Sequence, residues 1–125
     1  MTHMKTAIIA ALLLAASTVA FADGPSFDCA KAASSVEKTI CGNDLLQRLD
    51  IALSKNYKSM MAVSAELPGG VQDLRQEQKA WVAKRNKCTT NKCLVDAYRT
   101  RIDNVCDAPM IKGMHPDCIM SSDIK

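Results

Sequence analysis

The longest regular pattern of apolar residues lies between Asp44 and about Glu66. Asn43 precedes this segment and is a favourable N-cap residue, and Pro68-Gly69-Gly70 follows it and is typical of a break between elements. The apolar positions recur at steps of three and four, as on one face of an α-helix: Leu46, Leu49, Leu53, Tyr57, Met60 and Met61. The pattern therefore predicts one long amphipathic helix.

Two further helices are predicted after this break. The first covers about Val71 to Lys87, and one stripe along it carries Val71, Leu74, Gln78, Trp81, Val82 and Arg85. The second follows a short polar turn, and its apolar face consists of Leu94, Ala97, Tyr98, Ile102 and Val105. Because the glycine-rich connection is short, the long helix and its successor should form an antiparallel hairpin.

A short helix is predicted before the long one. Ser34 and Glu37 have the spacing of a capping box, and Gly42 follows Cys41 where a C-cap glycine is expected. No segment alternates between apolar and polar residues, so no sheet is predicted. The predicted fold class is all-α: a small helical domain with a long antiparallel helical hairpin, on which a fourth helix packs.

The hairpin register indicates which side chains should meet. It places Asp50 near Arg85 and Tyr57 near Trp81. A buried arginine generally needs a carboxylate partner, so a structural role for Asp50, Gln78, Trp81 and Arg85 is favoured over a ligand-binding face of Trp81 and Arg85. The predicted core consists of Leu46, Leu49, Leu53, Tyr57, Leu74, Trp81, Leu94, Tyr98 and Ile102.

The N-terminal segment, residues 1–22, has the pattern of a signal peptide. Lys5 precedes an unbroken apolar run from Ala7 to Ala16, and Ala20-Phe21-Ala22 fits a cleavage site that would leave Asp23 at the start of the mature chain. Met1 and Met4 both remain open as the true start, and a core helix is the alternative interpretation. No cysteine stands in a lipid-attachment context. We therefore expect a periplasmic or secreted protein without a lipid anchor or stable membrane insertion.

The length of the chain indicates its domain organisation, and its charge argues against one class of partner. A chain of 125 residues allows one domain, which we place at residues 23–106, followed by a Pro- and Gly-containing tail at 107–125 that Cys118 should tie down. Cleavage would remove Lys5 and no acidic residue, leaving 15 basic and 13 acidic side chains, a net charge of +2. This mixed surface argues against a nucleic-acid partner, which usually requires a concentrated basic patch.

Six cysteines follow the predicted cleavage site. An even number in a small exported chain indicates three disulfides, although the spacing leaves their connectivity open. The alternative is a zinc site built from Cys88, Cys93, Cys106 and Cys118 or His115. Zinc ligands usually come as two tight pairs, and the second pair is absent here, so we predict no metal.

No catalytic motif is present. The sequence contains no Gly-rich phosphate loop, no Gly-x-Ser-x-Gly and no His-Glu-x-x-His, and the mature chain has a single histidine, His115. We therefore expect no enzymatic activity and no cofactor, which leaves binding as the function.

Four spaced pieces of the sequence carry a resemblance to a known family. They are Pro25–Ala32 with Val36–Cys41, then Leu49-Asp50 with Tyr57, then Glu77–Trp81 with Arg85 and Cys88, then Cys93-Leu94 with Tyr98 and Arg101. In this order they resemble the LprI-type lysozyme-inhibitor family over residues 25–106. Two features depart from it: the inhibitor that names the family is lipid-anchored, and the tail with Cys106 and Cys118 lies outside the pattern.

The resemblance implies a small exported helical protein that binds lysozyme. It also implies the disulfides Cys29–Cys41 and Cys88–Cys93, and Cys106–Cys118 is the pair that remains. A turn closed by a disulfide is rigid, so we expect the contact at residues 88–93, through Thr89, Thr90, Asn91 and Lys92. The alternatives are an envelope adaptor or binding module with another protein or polymer partner and, more remotely, a carrier of a metal or small molecule.

Overall fold

The computed structural model of the chain describes residues 25–107 and 116–125. The predicted signal peptide and His115 lie outside these residues. No strand occurs in the described ranges, so the predicted all-α fold class is confirmed. The four helices are α1 (Ser35–Cys41), α2 (Asp44–Ser64), α3 (Gly70–Arg85) and α4 (Asn91–Val105), with 3-10 turns at Cys29–Lys31 and Ser121–Asp123.

The capping box predicted for α1 is present. The Ser34 hydroxyl accepts a hydrogen bond from the Glu37 amide at 3.1 Å, and the Glu37 carboxylate accepts from the amides of Ala33 at 2.8 Å and Ser34 at 3.2 Å. These backbone donors hold the pKa of the Glu37 carboxyl below its usual value. The start of α1 is therefore fixed by local side-chain chemistry.

The connection between α2 and α3 requires both of its glycines. Gly69 has φ of 75°, in the left-handed region that glycine occupies most readily. A Cβ atom on Gly70 would lie 2.7 Å from the carbonyl oxygen of Ser64, so only a residue without a side chain fits there. The chain can thus leave α2 and begin α3 within a few residues.

The core lies mainly between α2 and α4, which make the most extensive contact of any two helices in the described chain. Asp50 bonds to Tyr98 and Asn56 to Ile102, so the two helices run in the same direction. Among the core residues of these helices, Leu46, Leu49, Leu53, Leu94, Tyr98 and Ile102 are buried as predicted.

Helix α3 covers this core from one side. Only Leu74 and Arg85 of α3 are buried, because most of its other side chains are charged or polar. Tyr57 and Trp81, which the sequence pattern placed in the core, are only partly buried and pack against it. The predicted core is therefore correct for the leucines and wrong about the depth of these two aromatic rings.

The six cysteines form three local pairs. They are Cys29–Cys41, Cys88–Cys93 and Cys106–Cys118. The first two are the pairs that the family resemblance implied, and the third joins the two cysteines that remained. With every cysteine oxidised, the thiolates of the alternative zinc set do not exist in this structure.

Asn56 attaches the C-terminal segment, residues 116–125, to the helices. It lies on the inner face of α2 with 1 % of its surface exposed. Its side-chain amide donates to the carbonyls of Ile119 at 2.8 Å and Ile102 at 3.3 Å, and it accepts from the Ile119 amide at 2.9 Å. One buried side chain thus satisfies backbone groups of both α4 and the tail.

Two side chains of α4 complete the attachment. Asp103 accepts from the amide of Ser121 at 2.8 Å and from its hydroxyl at 2.7 Å. Arg99 donates to the carbonyl oxygens of Ser121 and Ile124. The sequence predicted only the Cys118 tether, whereas the structure adds a set of side-chain-to-backbone hydrogen bonds.

Asn56→Ala should lower the free energy of unfolding by about 2 kcal/mol, because it leaves buried and partly buried backbone groups of Ile102 and Ile119 without these partners. Urea denaturation measures the loss, and hydrogen exchange should show faster exchange at the Ile119 amide. Asn104→Ala, at an exposed position of α4, is the matched control and should change stability by less than about 0.5 kcal/mol. Equal stability of the two variants would contradict the anchoring role of Asn56.

Candidate functional site

A buried polar network joins α2, α3 and α4. The Tyr98 hydroxyl donates to Asp50 Oδ1 at 2.7 Å, and Arg85 donates to the Tyr98 hydroxyl at 3.1 Å. The second oxygen of Asp50 accepts from the amide of Ser26, in the segment before α1. Asp50 and Arg85, which the hairpin register placed near each other, are thus linked through the Tyr98 hydroxyl that stands between them.

Tyr98 is the central member of this network. Burial and the negative charge of Asp50 raise the pKa of its phenol far above the ordinary value. The hydroxyl therefore keeps its proton and can donate to Asp50 while it accepts from Arg85. Sequence reasoning assigned Tyr98 to the core and missed this second role.

The polar groups of Arg85 and Trp81 also bind to other residues of the protein. Arg85 donates from Nε and from its second terminal nitrogen to the side-chain oxygen of Asn86, at 3.1 and 2.9 Å. Its guanidinium lies 5.5 Å from the centre of the Trp81 ring, and Trp81 Nε1 donates to the Ala97 carbonyl at 3.2 Å. The Trp81 and Tyr98 rings meet edge to face, with centroids 5.1 Å apart. These contacts favour the structural interpretation of this helix face.

Gln78, the fourth residue of that face, positions Arg101 of α4. Gln78 accepts from Arg101 Nε at 3.0 Å, and Glu77 lies 3.6 Å from another guanidinium nitrogen of the same arginine. The third nitrogen of Arg101 is buried without a hydrogen-bond partner among the described residues. Gln78 thus helps to hold α3 against α4.

An open groove lies on the outside of the molecule between the C-terminal part of α3 and the first ten residues of α4. It has a volume of about 670 Å³ and is lined by Trp81, Lys84, Lys87, Cys88, Thr90, Lys92, Cys93, Asp96, Ala97 and Thr100. Trp81, Ala97 and the Cys88–Cys93 disulfide supply apolar surface, and three lysines surround it. We refer to these ten residues as the basic groove.

The turn at residues 88–93 borders this groove. The Thr90 hydroxyl accepts from the Cys93 amide at 3.1 Å and thereby caps α4, so Thr90 has a structural role as well as an exposed position. Thr89, Asn91 and Lys92 are exposed, and Lys92 forms an ion pair with Asp96 one helical turn later. An exposed pair of this kind contributes little to stability and is easily exchanged for another partner.

Two other kinds of site were considered: a metal site and a membrane-spanning helix. In residues 25–107 and 116–125, no cluster of three or more His, Cys, Asp or Glu side chains is close enough to hold a metal ion. No helix in this part of the chain has the length and apolar character needed to cross a membrane.

Comparison with known proteins gives a family match. A family model described as "Lysozyme inhibitor LprI" matches residues 29–116. The match ends between Cys106 and Cys118, ten residues after the end of the resemblance noted in the sequence. No solved structure matches the chain significantly.

Two kinds of curated relative are similar. An uncharacterized protein of Rhizobium meliloti is 29 % identical over 86 residues, which cover 60 % of this chain and 62 % of that protein. Proteins named "Lipoprotein LprI" in Mycobacterium bovis and Mycobacterium tuberculosis are 30 % identical over 91 residues, 70 % of this chain and 44 % of theirs. The matched region thus spans less than two thirds of each relative.

Proposed function

Because this chain belongs to the LprI lysozyme-inhibitor family, we propose that it is an exported, non-enzymatic protein that binds and inhibits a lysozyme. The observation that supports this most directly is the exposed turn at residues 88–93, closed by a disulfide and bearing a lysine. Such a turn is a suitable element for contacting an enzyme cleft.

The proposed location is the periplasm or the exterior of the cell, after cleavage near Ala22. Three disulfides in so small a protein suit an oxidising compartment. Lysozymes act on the cell wall, so an exported inhibitor would meet its target there.

The proposed mechanism uses the chemistry of the lysozyme cleft. Lysozymes cleave their substrate with two carboxyl groups that flank the scissile bond. The ammonium group of Lys92 can approach these carboxylates, and Thr89 and Asn91 can donate hydrogen bonds beside it. The disulfide and the Thr90 cap already order the turn, so binding loses little conformational entropy.

Lys92→Glu should weaken inhibition by about tenfold or more, because it places a negative charge opposite the enzyme's carboxylates. A lysis assay with purified protein and several lysozyme types measures this effect. The thermal midpoint should change little, since the position is exposed and its ion pair with Asp96 is weak. Lys58→Glu, at an exposed position of α2, is the matched control and should inhibit like the wild type.

Two further outcomes would change the proposal. If the wild-type protein inhibits no lysozyme type, the proposed function is wrong, and a binding module for another envelope partner replaces it. If inhibition survives both Lys92→Glu and the double replacement Thr89→Ala with Asn91→Ala, the function holds and the site lies elsewhere. Thr90 is left unchanged in this test because it caps α4.

A further inference from the structure

We propose that the basic groove is the second half of the contact surface and that it receives an acidic segment of the partner protein, with an apolar side chain seated on the groove floor. This inference rests on the proposed function in one respect: the partner that carries the segment would be a lysozyme. The turn at residues 88–93 forms one wall of the groove through Cys88, Thr90, Lys92 and Cys93, and α3 and α4 supply the rest, so the groove extends the contact surface from the turn onto these helices.

The floor of the groove fits an apolar anchor. Trp81 and Ala97 and the sulfur atoms of the Cys88–Cys93 disulfide form its apolar surface. The alkyl stems of lysines can extend this surface while their ammonium groups remain in water. A groove of about 670 Å³ can accept a few side chains of a partner.

The charged residues around the groove indicate that the bound segment is acidic. Lys84, Lys87 and Lys92 line the groove, and its single lining carboxylate, Asp96, already forms an ion pair with Lys92. Within the described chain, neither Lys84 nor Lys87 forms an ion pair with a carboxylate. The lining of the groove thus carries three lysines and one carboxylate, and this excess of positive charge is complementary to glutamate or aspartate side chains.

The groove also favours a polypeptide over a sugar chain. A sugar presents many hydroxyl groups and needs a matching set of fixed hydrogen-bond partners in its site. Here the Trp81 indole N–H already donates to the Ala97 carbonyl, and three of the remaining polar groups of the lining are lysine ammonium groups. An acidic peptide segment needs mainly cations and an apolar surface, which the groove supplies.

A selectivity among lysozymes follows from this assignment. Many lysozymes are strongly basic, so the lysines of the groove repel most of such a surface. Binding then requires a lysozyme with acidic side chains beside its cleft, at the position that faces Lys84 and Lys87. The groove would therefore determine which lysozymes the protein inhibits, while the turn would block the cleft.

The first test reverses the charge of the rim. In the full-length mature protein, the double variant Lys84→Glu with Lys87→Glu should bind a lysozyme that the wild type inhibits about tenfold or more weakly, and its affinity should depend less on salt concentration. Lys79→Glu lies on the same helix outside the groove and should change affinity by less than about twofold. Unchanged inhibition and salt dependence in the double variant would overturn the groove assignment and leave the proposed function intact.

The second test needs no lysozyme. Trp81 is the single tryptophan of the chain and lines the groove, so its fluorescence reports occupancy. A synthetic peptide that alternates glutamate and leucine should change this signal for the wild type but not for the double variant, and a lysine–leucine peptide should not change it.

The two tests separate the groove from the proposed function. If the acidic peptide binds but no lysozyme is inhibited, the groove assignment stands and the proposed function falls. If the acidic peptide leaves the fluorescence unchanged while peptidoglycan fragments or anionic lipid vesicles alter it, the assignment to a polypeptide is wrong, and a glycan or a lipid is the occupant.

Discussion

Asp50→Ala is expected to lower the free energy of unfolding by about 3–5 kcal/mol, the range found when one partner of a buried charged network is removed. Asp50 has 3 % of its surface exposed. Without its carboxylate, the Tyr98 hydroxyl and the Ser26 amide lose their acceptor, and the buried guanidinium of Arg85 loses its nearby negative charge. Urea denaturation at neutral pH measures the loss.

Two controls make this test specific. Asp107→Ala removes an exposed carboxylate after α4 and should change stability by less than about 0.5 kcal/mol. Tyr98→Phe in a double-mutant cycle should show coupling to Asp50, because each residue loses its partner when the other is replaced. Additive effects would mean that the hydrogen bond between the two contributes nothing to stability.

Trp81→Ala is expected to cost about 3 kcal/mol, at the lower end of the range for truncating a large aromatic side chain, because the ring is only partly buried. The change removes the edge-to-face contact with Tyr98, the stacking with Arg85 and the hydrogen bond to Ala97. Far-UV circular dichroism must follow the unfolding, since the variant lacks the tryptophan that fluorescence would use.

Trp81→Phe is the control for this variant. It keeps a ring against Tyr98 and Arg85 but removes the indole N–H, so its cost should be nearer to about 1 kcal/mol. If Trp81→Ala leaves stability unchanged, the structural interpretation of Trp81 is wrong, whatever the variant does to partner binding at the basic groove.

The helices could be predicted because their ends are encoded locally. Ser34 and Glu37 define one start, Asn43 another, and Pro68-Gly69-Gly70 a break, each through contacts within a few residues. The tail could not be predicted in the same way, since its position depends on side chains that are distant in the chain.

One signal for the tail was nevertheless present in the sequence. Asn56 lies three residues after Leu53 and four before Met60, which places an amide on the apolar face of α2. A polar side chain at such a position indicates a buried hydrogen-bond partner. The sequence pattern assigned the adjacent residue, Tyr57, to the core, but Tyr57 is more exposed than Asn56.

The candidate site shows a similar division. Helical periodicity placed Trp81 and Arg85 on one face, and the hairpin register placed Asp50 near Arg85. Neither pattern shows which way a hydroxyl group points or which groups it bonds to. The hydrogen bonds of Tyr98 to both Asp50 and Arg85 required the packed structure. The basic groove combines residues from two helices and the turn between them, so it appears only when α3 and α4 are packed side by side.

The disulfides leave the two halves of the molecule without a covalent link other than the backbone. Cys29–Cys41 lies before the turn at Pro68 and Gly69, and the other two bridges lie after it. A protease that cut this exposed turn once would therefore produce two fragments, one with a single disulfide and one with two, held together by helix packing and by the hydrogen bonds of Asp50 and Asn56. We expect the cut protein to stay assembled, as two disulfide-bonded fragments that associate through the same buried surfaces.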